Sequence, residues 1–351
     1  MRGARRFLAH ESRSKYTLFQ RKWQGYLKKT AYLWLIICFF VYLHQFFFSE
    51  KNHLYLYIIR YAREKWVNMA WYLHEKELGL NNKEQDIFMD KKIKALFFDI
   101  DGTLVSFKSH RIPQSTVDAL EQAKKNGVEV YISTGRPKQI INNLGQIEHL
   151  IDGYITANGA RCFVEDTLVS QHAILPSDVK KIIEAADRDN YPAIVVSESR
   201  FAIHHYTDEV YEIFCKGLGV DSSIFITDVG ALGDEPILQV TPFCTVEQEA
   251  LLMPTLENCT SGRWHPAFTD ITARGADKGK GLHAMADYLG LNIEETMAFG
   301  DGGNDISIIK EAGVGVAMGN AGEELKLVAD YITTHVDEDG VKNALIKYGV
   351  I

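Results

Sequence analysis

Ile93-Lys94-Ala95-Leu96-Phe97-Phe98-Asp99-Ile100-Asp101-Gly102-Thr103 decides how the rest of the chain is read. Residues 93–98 are a short, nearly unbroken apolar run. Strands buried on both faces of a parallel sheet read this way, because neither face alternates with a polar one. Two carboxylates, Asp99 and Asp101, follow at once. That is the carboxyl end of the strand, where open α/β sheets bind their ligands. Gly102 permits a tight turn, and Thr103 has a hydroxyl to cap it.

The same grammar recurs further along the chain. Residues 113–126 carry helical spacing and stop at Gly127. A strand over 128–132 ends in Ser133-Thr134-Gly135-Arg136. A helix is predicted over 139–144, then a strand over 154–156 that ends in Ala157-Asn158-Gly159. Further on, a helix over 278–289 and a strand over 296–299 lead into Gly300-Asp301-Gly302-Gly303-Asn304-Asp305. Helix (306–312), strand (314–317) and helix (323–329) follow. Strand–helix alternation with polar motifs at strand ends predicts an α/β fold with a doubly wound parallel sheet.

Residues 176–262 differ. Helical stretches over 178–189, 207–218 and 246–253 alternate with β-rich runs over 193–196 and 237–240, and none of these strands ends in a charged motif. The expected organisation is a core formed by 90–175 and 263–351, with 176–262 an inserted α/β cap domain. Arg263, Trp264 and His265 then fall at the return to the core, and His204 and His205 within the cap, as candidates for touching substrate.

The polar motifs supply one set of chemistry. Asp99 on its fixed platform can attack phosphorus and form an acyl phosphate, which splits hydrolysis into two steps. Asp101 projects to the same side by the strand period of two and can move a proton. Two carboxylates beside a phosphate repel, so a hard cation is expected, Mg²⁺, held by Asp99 and Asp301, with Asp305 reaching it directly or through water. Thr134 and the Gly135 amide follow a strand, a position suited to anions. Lys278 is a compact cation for the transferring phosphoryl group. Asn304 can orient Asp99 or touch phosphate, and Asn158 lies in a turn that opens on the crevice. Taken singly, the Asp-Ile-Asp-Gly-Thr stretch reads equally as a solvated turn and Lys278 as a surface lysine. The glycine-rich run over 313–319 has the wrong spacing for a dinucleotide loop. The weight rests on their joint order.

That order resembles the haloacid dehalogenase superfamily, and within it the Cof-type phosphatases with a large inserted cap. The matching stretches are FFDIDGT, ISTGRP, ITANGA, ADKGKGL, FGDGGNDISII and GVGVAMGNA. The likeness is greatest to bacterial hexose-phosphate phosphatases. It implies a Rossmann-like core, Mg²⁺ dependence and small phosphorylated metabolites as substrates. It implies Asp99 as nucleophile, Asp101 as general acid/base that also lends a backbone carbonyl to Mg²⁺, and Asp301 as the third metal ligand. Thr134, Gly135, Lys278 and Asn304 fall on its phosphate-binding positions. A phosphomutase of the same superfamily, or a membrane-tethered protein that binds a phosphorylated ligand without turnover, are the alternatives.

Charge is divided unevenly. The formal net charge is −8, yet residues 1–89 carry +8 and the remainder −16. An acidic body has no electrostatic footprint for nucleic acid, and anionic substrate must be captured by a local site. The five cysteines show no paired spacing and read as reduced thiols. The first 88 residues have no Pro and hold 20 of the 39 aromatics with Arg21, Lys22, Lys28 and Lys29 ahead of an apolar segment over 31–48. They read as an extension preceding a natural start at Met89, or as a membrane anchor through 31–48. The expected location is cytoplasmic, with membrane anchoring as the alternative. The oligomeric state is not legible.

Overall fold

The computed structural model describes residues 92–217 and 219–351. The expectations for residues 1–88, the 31–48 anchor included, lie outside the described residues. Among the described residues no helix is long and apolar enough to cross a membrane.

Two sheets organise the fold. The first has eight strands: β1 (Ala95–Phe98), β2 (Glu129–Ser133), β3 (Gly153–Thr156), β4 (Arg161–Val164), β5 (Thr167–Gln171), β12 (Thr296–Gly300), β13 (Val314–Ala317) and β14 (Tyr331–Ile332). Their order is β14-β13-β12-β1-β2-β3-β4-β5. It is parallel from β14 to β3, and an antiparallel hairpin, β4 and β5, closes the edge. Strand β1 is central and buried on both faces, as its apolar run requires. Leu96 and Phe98 enter the core packed by Leu120 and Leu345, while Ala95 and Phe97 enter the opposite core with Leu282, Met285 and Ile308. Helices α1 (Gln114–Lys125) and α7 (Gly340–Lys347) cover the first face. Helices α4 (Lys278–Leu289), α5 (Ile306–Glu311) and α6 (Glu323–Val328) cover the second. This is the doubly wound α/β arrangement read from the sequence.

The second sheet has six strands in the order β10-β11-β9-β6-β7-β8, namely β6 (Ala193–Ser197), β7 (Phe201–His204), β8 (Phe225–Ile226), β9 (Ile237–Pro242), β10 (Cys259–His265) and β11 (Phe268–Ala273). It is antiparallel apart from the β7–β8 pair. Helices α2 (Pro176–Asp189) and α3 (Val246–Leu252) pack on one face through Ile182, Ala185, Ala186 and Leu252. The sheet runs on to Ala273, so the return to the core falls after that residue and not at 263. Arg263, Trp264 and His265 accordingly stand on β10, inside the cap sheet.

The predicted helix over 139–144 is absent. A single 3₁₀ turn, Lys138–Ile140, stands there. Ile140 packs into the apolar cluster of the cap and Leu144 into that of the core, and one helix face cannot serve both.

Candidate active site

Strands β1 and β12 lie side by side, Phe98 paired with Phe299. Asp99 therefore sits one residue beyond β1, and its amide donates to the Phe299 carbonyl at 3.0 Å. Gly300 ends β12, and Asp301 opens the neighbouring loop. Two residues remote in sequence are thus brought together at the carboxyl edge of the sheet.

Lys278, the first residue of α4, reaches into this corner from the opposite layer. It is 1% exposed, in contrast to the surface position it suggests when read alone. Its ammonium donates to Asp99 Oδ1 at 2.7 Å and to Asp305 Oδ1 at 2.5 Å. Burial opposes its charge, but the two carboxylates outweigh burial and raise its pKa. Asp305 is equally committed. Its Oδ2 accepts from the amides of Asp301 at 3.1 Å and Gly302 at 2.9 Å, which fixes the 301–305 loop.

Asp301 accepts from Thr103 Oγ1 at 3.3 Å and from Asn320 Nδ2 at 3.2 Å. Asn320 also donates to the Gly102 carbonyl at 2.8 Å. Gly102 has a φ of +89°, and a Cβ there would lie 2.2 Å from Asp301 Oδ2. Glycine is needed for both reasons. Burial, then the neighbouring Asp305, pushes the Asp301 carboxyl up to about 7, against Lys278, Thr103 and Asn320. Burial likewise pushes Asp99 well above the ordinary carboxylate range, with Lys278 opposing.

Asp99, Asp301 and Asp305 offer oxygen atoms that all lie within 4.8 Å of one another. Two buried carboxylates and the half-buried Asp301 surround one ammonium, so negative charge is in excess. An all-oxygen donor set carrying such an excess fits a hard dication such as Mg²⁺. Asp305 already spends both oxygens on Lys278 and on amides, which leaves Asp99 and Asp301 as the carboxylates facing the crevice.

The positions expected from the sequence to bind an anion also converge. Thr134, buried at the end of β2, accepts the Arg136 amide on Oγ1 at 3.0 Å, while its carbonyl accepts the Asn158 amide at 3.0 Å. Asn158 holds φ +54°, and its Oδ1 accepts from Asn304 Nδ2 at 3.0 Å. A Cβ on Gly135 would meet Asn158 Oδ1 at 3.1 Å. Thr134, Gly135, Asn158 and Asn304 thus form one wall.

Asp101 faces a partner that sequence reasoning did not assign. Arg136 grips it with Nε to Oδ2 at 2.7 Å and Nη2 to Oδ1 at 2.8 Å, a two-point pair that orients the carboxylate. Asn320 was missed as well. Both lie inside quoted motifs, ISTGRP and GVGVAMGNA, and a polar side chain next to a strand end was the available signal. His204 and His205 fall elsewhere. His204 pairs with Ala193 at one end of the β6–β7 ladder. The other end leads to Glu198, whose carbonyl accepts from Gln139 and Arg161 of the core. The two histidines stand at the end remote from the crevice.

Comparison with known proteins agrees with this geometry. Residues 96–345 match the haloacid dehalogenase-like hydrolase family. The Bacillus subtilis (strain 168) protein YkrA, named as a phosphatase, is 31% identical over 268 residues, 75% of this chain and 100% of that one. From the same organism, the 5-amino-6-(5-phospho-D-ribitylamino)uracil phosphatase YcsE is 30% identical over 73% of this chain and 96% of its own. Among solved structures, the subclass IIB sugar phosphatase BT4131 is 45% identical, with a TM-score of 0.69 over 74% of this chain and 100% of its own. The chain belongs to the haloacid dehalogenase-like hydrolases, and it is a phosphatase of that family.

Proposed function

We propose that the enzyme hydrolyses phosphate monoesters of small metabolites, hexose phosphates foremost, with Mg²⁺ and through an aspartyl phosphate on Asp99. One observation carries the reading: a buried carboxylate at the tip of β1, held by Lys278 at 2.7 Å and facing Asp301 across the crevice. The likeness to BT4131, a sugar phosphatase, supports the substrate class.

Asp99 and Asp301, with the Asp101 carbonyl, would hold the ion, which when bound offsets the charge of carboxylates and phosphate. The Thr134 hydroxyl, the Gly135 amide and the Asn304 and Asn158 amides orient the phosphoryl oxygens, and Lys278 neutralises them. An Asp99 oxygen attacks phosphorus and the ester P–O bond breaks. Asp101, protonated and turned away from Arg136, gives its proton to the leaving alkoxide. Water then attacks the aspartyl phosphate. Asp101, returned to Arg136 without its proton, takes the water's proton, and phosphate leaves with Asp99 regenerated. The cap covers the crevice during these steps.

The test is phosphate release by the full chain over a panel of phosphorylated metabolites, with and without EDTA, beside Asp99→Asn. Release from hexose phosphates that EDTA abolishes and Asp99→Asn lacks is the expected result. Isomerisation of a sugar phosphate without release would make the protein a mutase. Wild-type turnover in Asp99→Asn would remove Asp99 as nucleophile.

A further inference from the structure

A second constellation of ligating side chains lies on the cap, away from the crevice. Asp187 projects from the last turn of α2 and His204 ends β7, with His205 next in the chain. His204 Nε2 lies 2.8 Å and His205 Nε2 lies 3.3 Å from the same oxygen, Asp187 Oδ1. The two imidazoles stack, with centroids 4.0 Å apart and planes inclined by 27°. The donor atoms of all three residues fall within 4.8 Å of one another. His205 holds φ +55°, a conformation uncommon for a non-glycine residue, and it is this bend that turns the second ring toward the first. Arg188, the neighbouring cation in sequence, is engaged by Asp189 at 2.9 and 2.7 Å and does not neutralise Asp187.

Two imidazole nitrogens and one carboxylate oxygen are a mixed N/O donor set. Hard ions such as Mg²⁺ favour oxygen alone, whereas zinc and its first-row neighbours favour imidazole. A tetrahedral ion with metal–ligand bonds of about 2.0–2.1 Å keeps its donors about 3.3 Å apart. The two nitrogen–oxygen separations are 2.8 and 3.3 Å, so a small side-chain rotation admits the ion. All three side chains are at least partly open to solvent, which gives the ion an entry path and a water for its fourth position. We propose that Asp187, His204 and His205 bind a first-row transition dication of the zinc class, which ties the end of α2 to the end of β7. The site belongs to the cap alone and owes nothing to the phosphatase chemistry.

The test uses the untagged full chain, stripped of metal and kept in excess Mg²⁺ so that the acidic crevice is occupied. Zn²⁺ is titrated calorimetrically, and Co²⁺ is followed by its visible absorption as a spectroscopic probe. Wild type and Asp99→Asn should both take up one ion that His205→Ala does not, with affinity lowered about tenfold or more when a ligand is lost. Zn²⁺ should raise the melting temperature of wild type and leave that of His205→Ala unmoved. His205 is exposed, so this variant keeps its fold, and Asp187→Asn serves as the independent second removal. Equal uptake by wild type, His205→Ala and Asp187→Asn would overturn the site, as would a zinc site that disappears in Asp99→Asn.

Discussion

Lys278 lies between Asp99 and Asp305, at 2.7 and 2.5 Å, in a corner with almost no water. Removing one partner of a buried ion pair leaves charge uncompensated, so Lys278→Met should lose about 3–5 kcal/mol of stability in urea unfolding. It should also abolish phosphate release. Arg136 acts on the other carboxylate. Arg136→Ala leaves Asp101 without its two-point partner and should lower kcat about tenfold or more, given the 10²–10⁴ that acid–base catalysis supplies. Arg136→Lys should recover only part, because an ammonium cannot reproduce the fork; steady-state kinetics on a sugar phosphate decide both. Asp99, Asp301 and the wall of Thr134, Gly135, Asn158 and Asn304 were legible as residue types at strand ends. Arg136 and Asn320 were not given roles, since what they do depends on Asp101 and Asp301, residues that only the fold brings near.

At the level of elements, α2 is tied to the strand that follows α3 by a buried carboxylate. Asp178 accepts the amides of Glu257 at 3.0 and 3.1 Å and of Asn258 at 3.0 Å. Burial raises its pKa, but these bonds outweigh it and hold the pKa below the ordinary value. A group with a depressed folded pKa stabilises fully above its unfolded value, near 3.9, and that stability is lost as pH falls through the folded value. Asp178→Ala should therefore cost about 1–3 kcal/mol at pH 7 for the stranded amides. The gap to wild type should narrow below about pH 4, and chemical denaturation at the two pH values checks it. The same scale shows why the sequence misled. Residues 139–144 carry apolar side chains at helical spacing, yet Ile140 and Leu144 answer to different cores. Strands β10 and β11 escaped because polar residues fill buried positions. Asp270 there accepts from Gln239 at 2.9 Å and from Thr241 at 2.7 Å, a network that conceals the apolar pattern of a strand. Strand β5 is at a sheet edge with Thr167 and Leu168 exposed, so burial left no alternation to read.

Over the whole molecule, core and cap meet through apolar contacts, Ile140 in the cap's cluster and cap Leu238 against Ala157 and Ala160, and through polar ones. Gln139 Nε2 donates to the Glu198 carbonyl at 2.6 Å, Asn142 Nδ2 to that of Gly219 at 2.7 Å, and Arg161 pairs with the Glu198 carboxylate at 2.7 Å. Such exposed pairs are worth about 0–1 kcal/mol, so Arg161→Ala should leave the melting temperature nearly unchanged. If the cap must sit down over bound substrate, the same variant should raise KM severalfold while kcat moves less, and a kinetic comparison with wild type separates the two. Fold class was readable because the apolar run of β1 and the glycine-bounded helices obey local rules. The place where the cap gives way to the core was not, because β11, which sets it, pairs with β10 and β9 through buried polar residues that hide its strand pattern.

Strand β12 docks beside β1, Phe299 against Phe98, although the cap is encoded between them. During synthesis Asp99 therefore emerges before the cap, and Asp301, which faces it, only after the cap. A nascent polypeptide halted at Ala273 would own a complete cap sheet and no reaction centre. Esterase power waits on residues 278–305, which are made only after the whole cap.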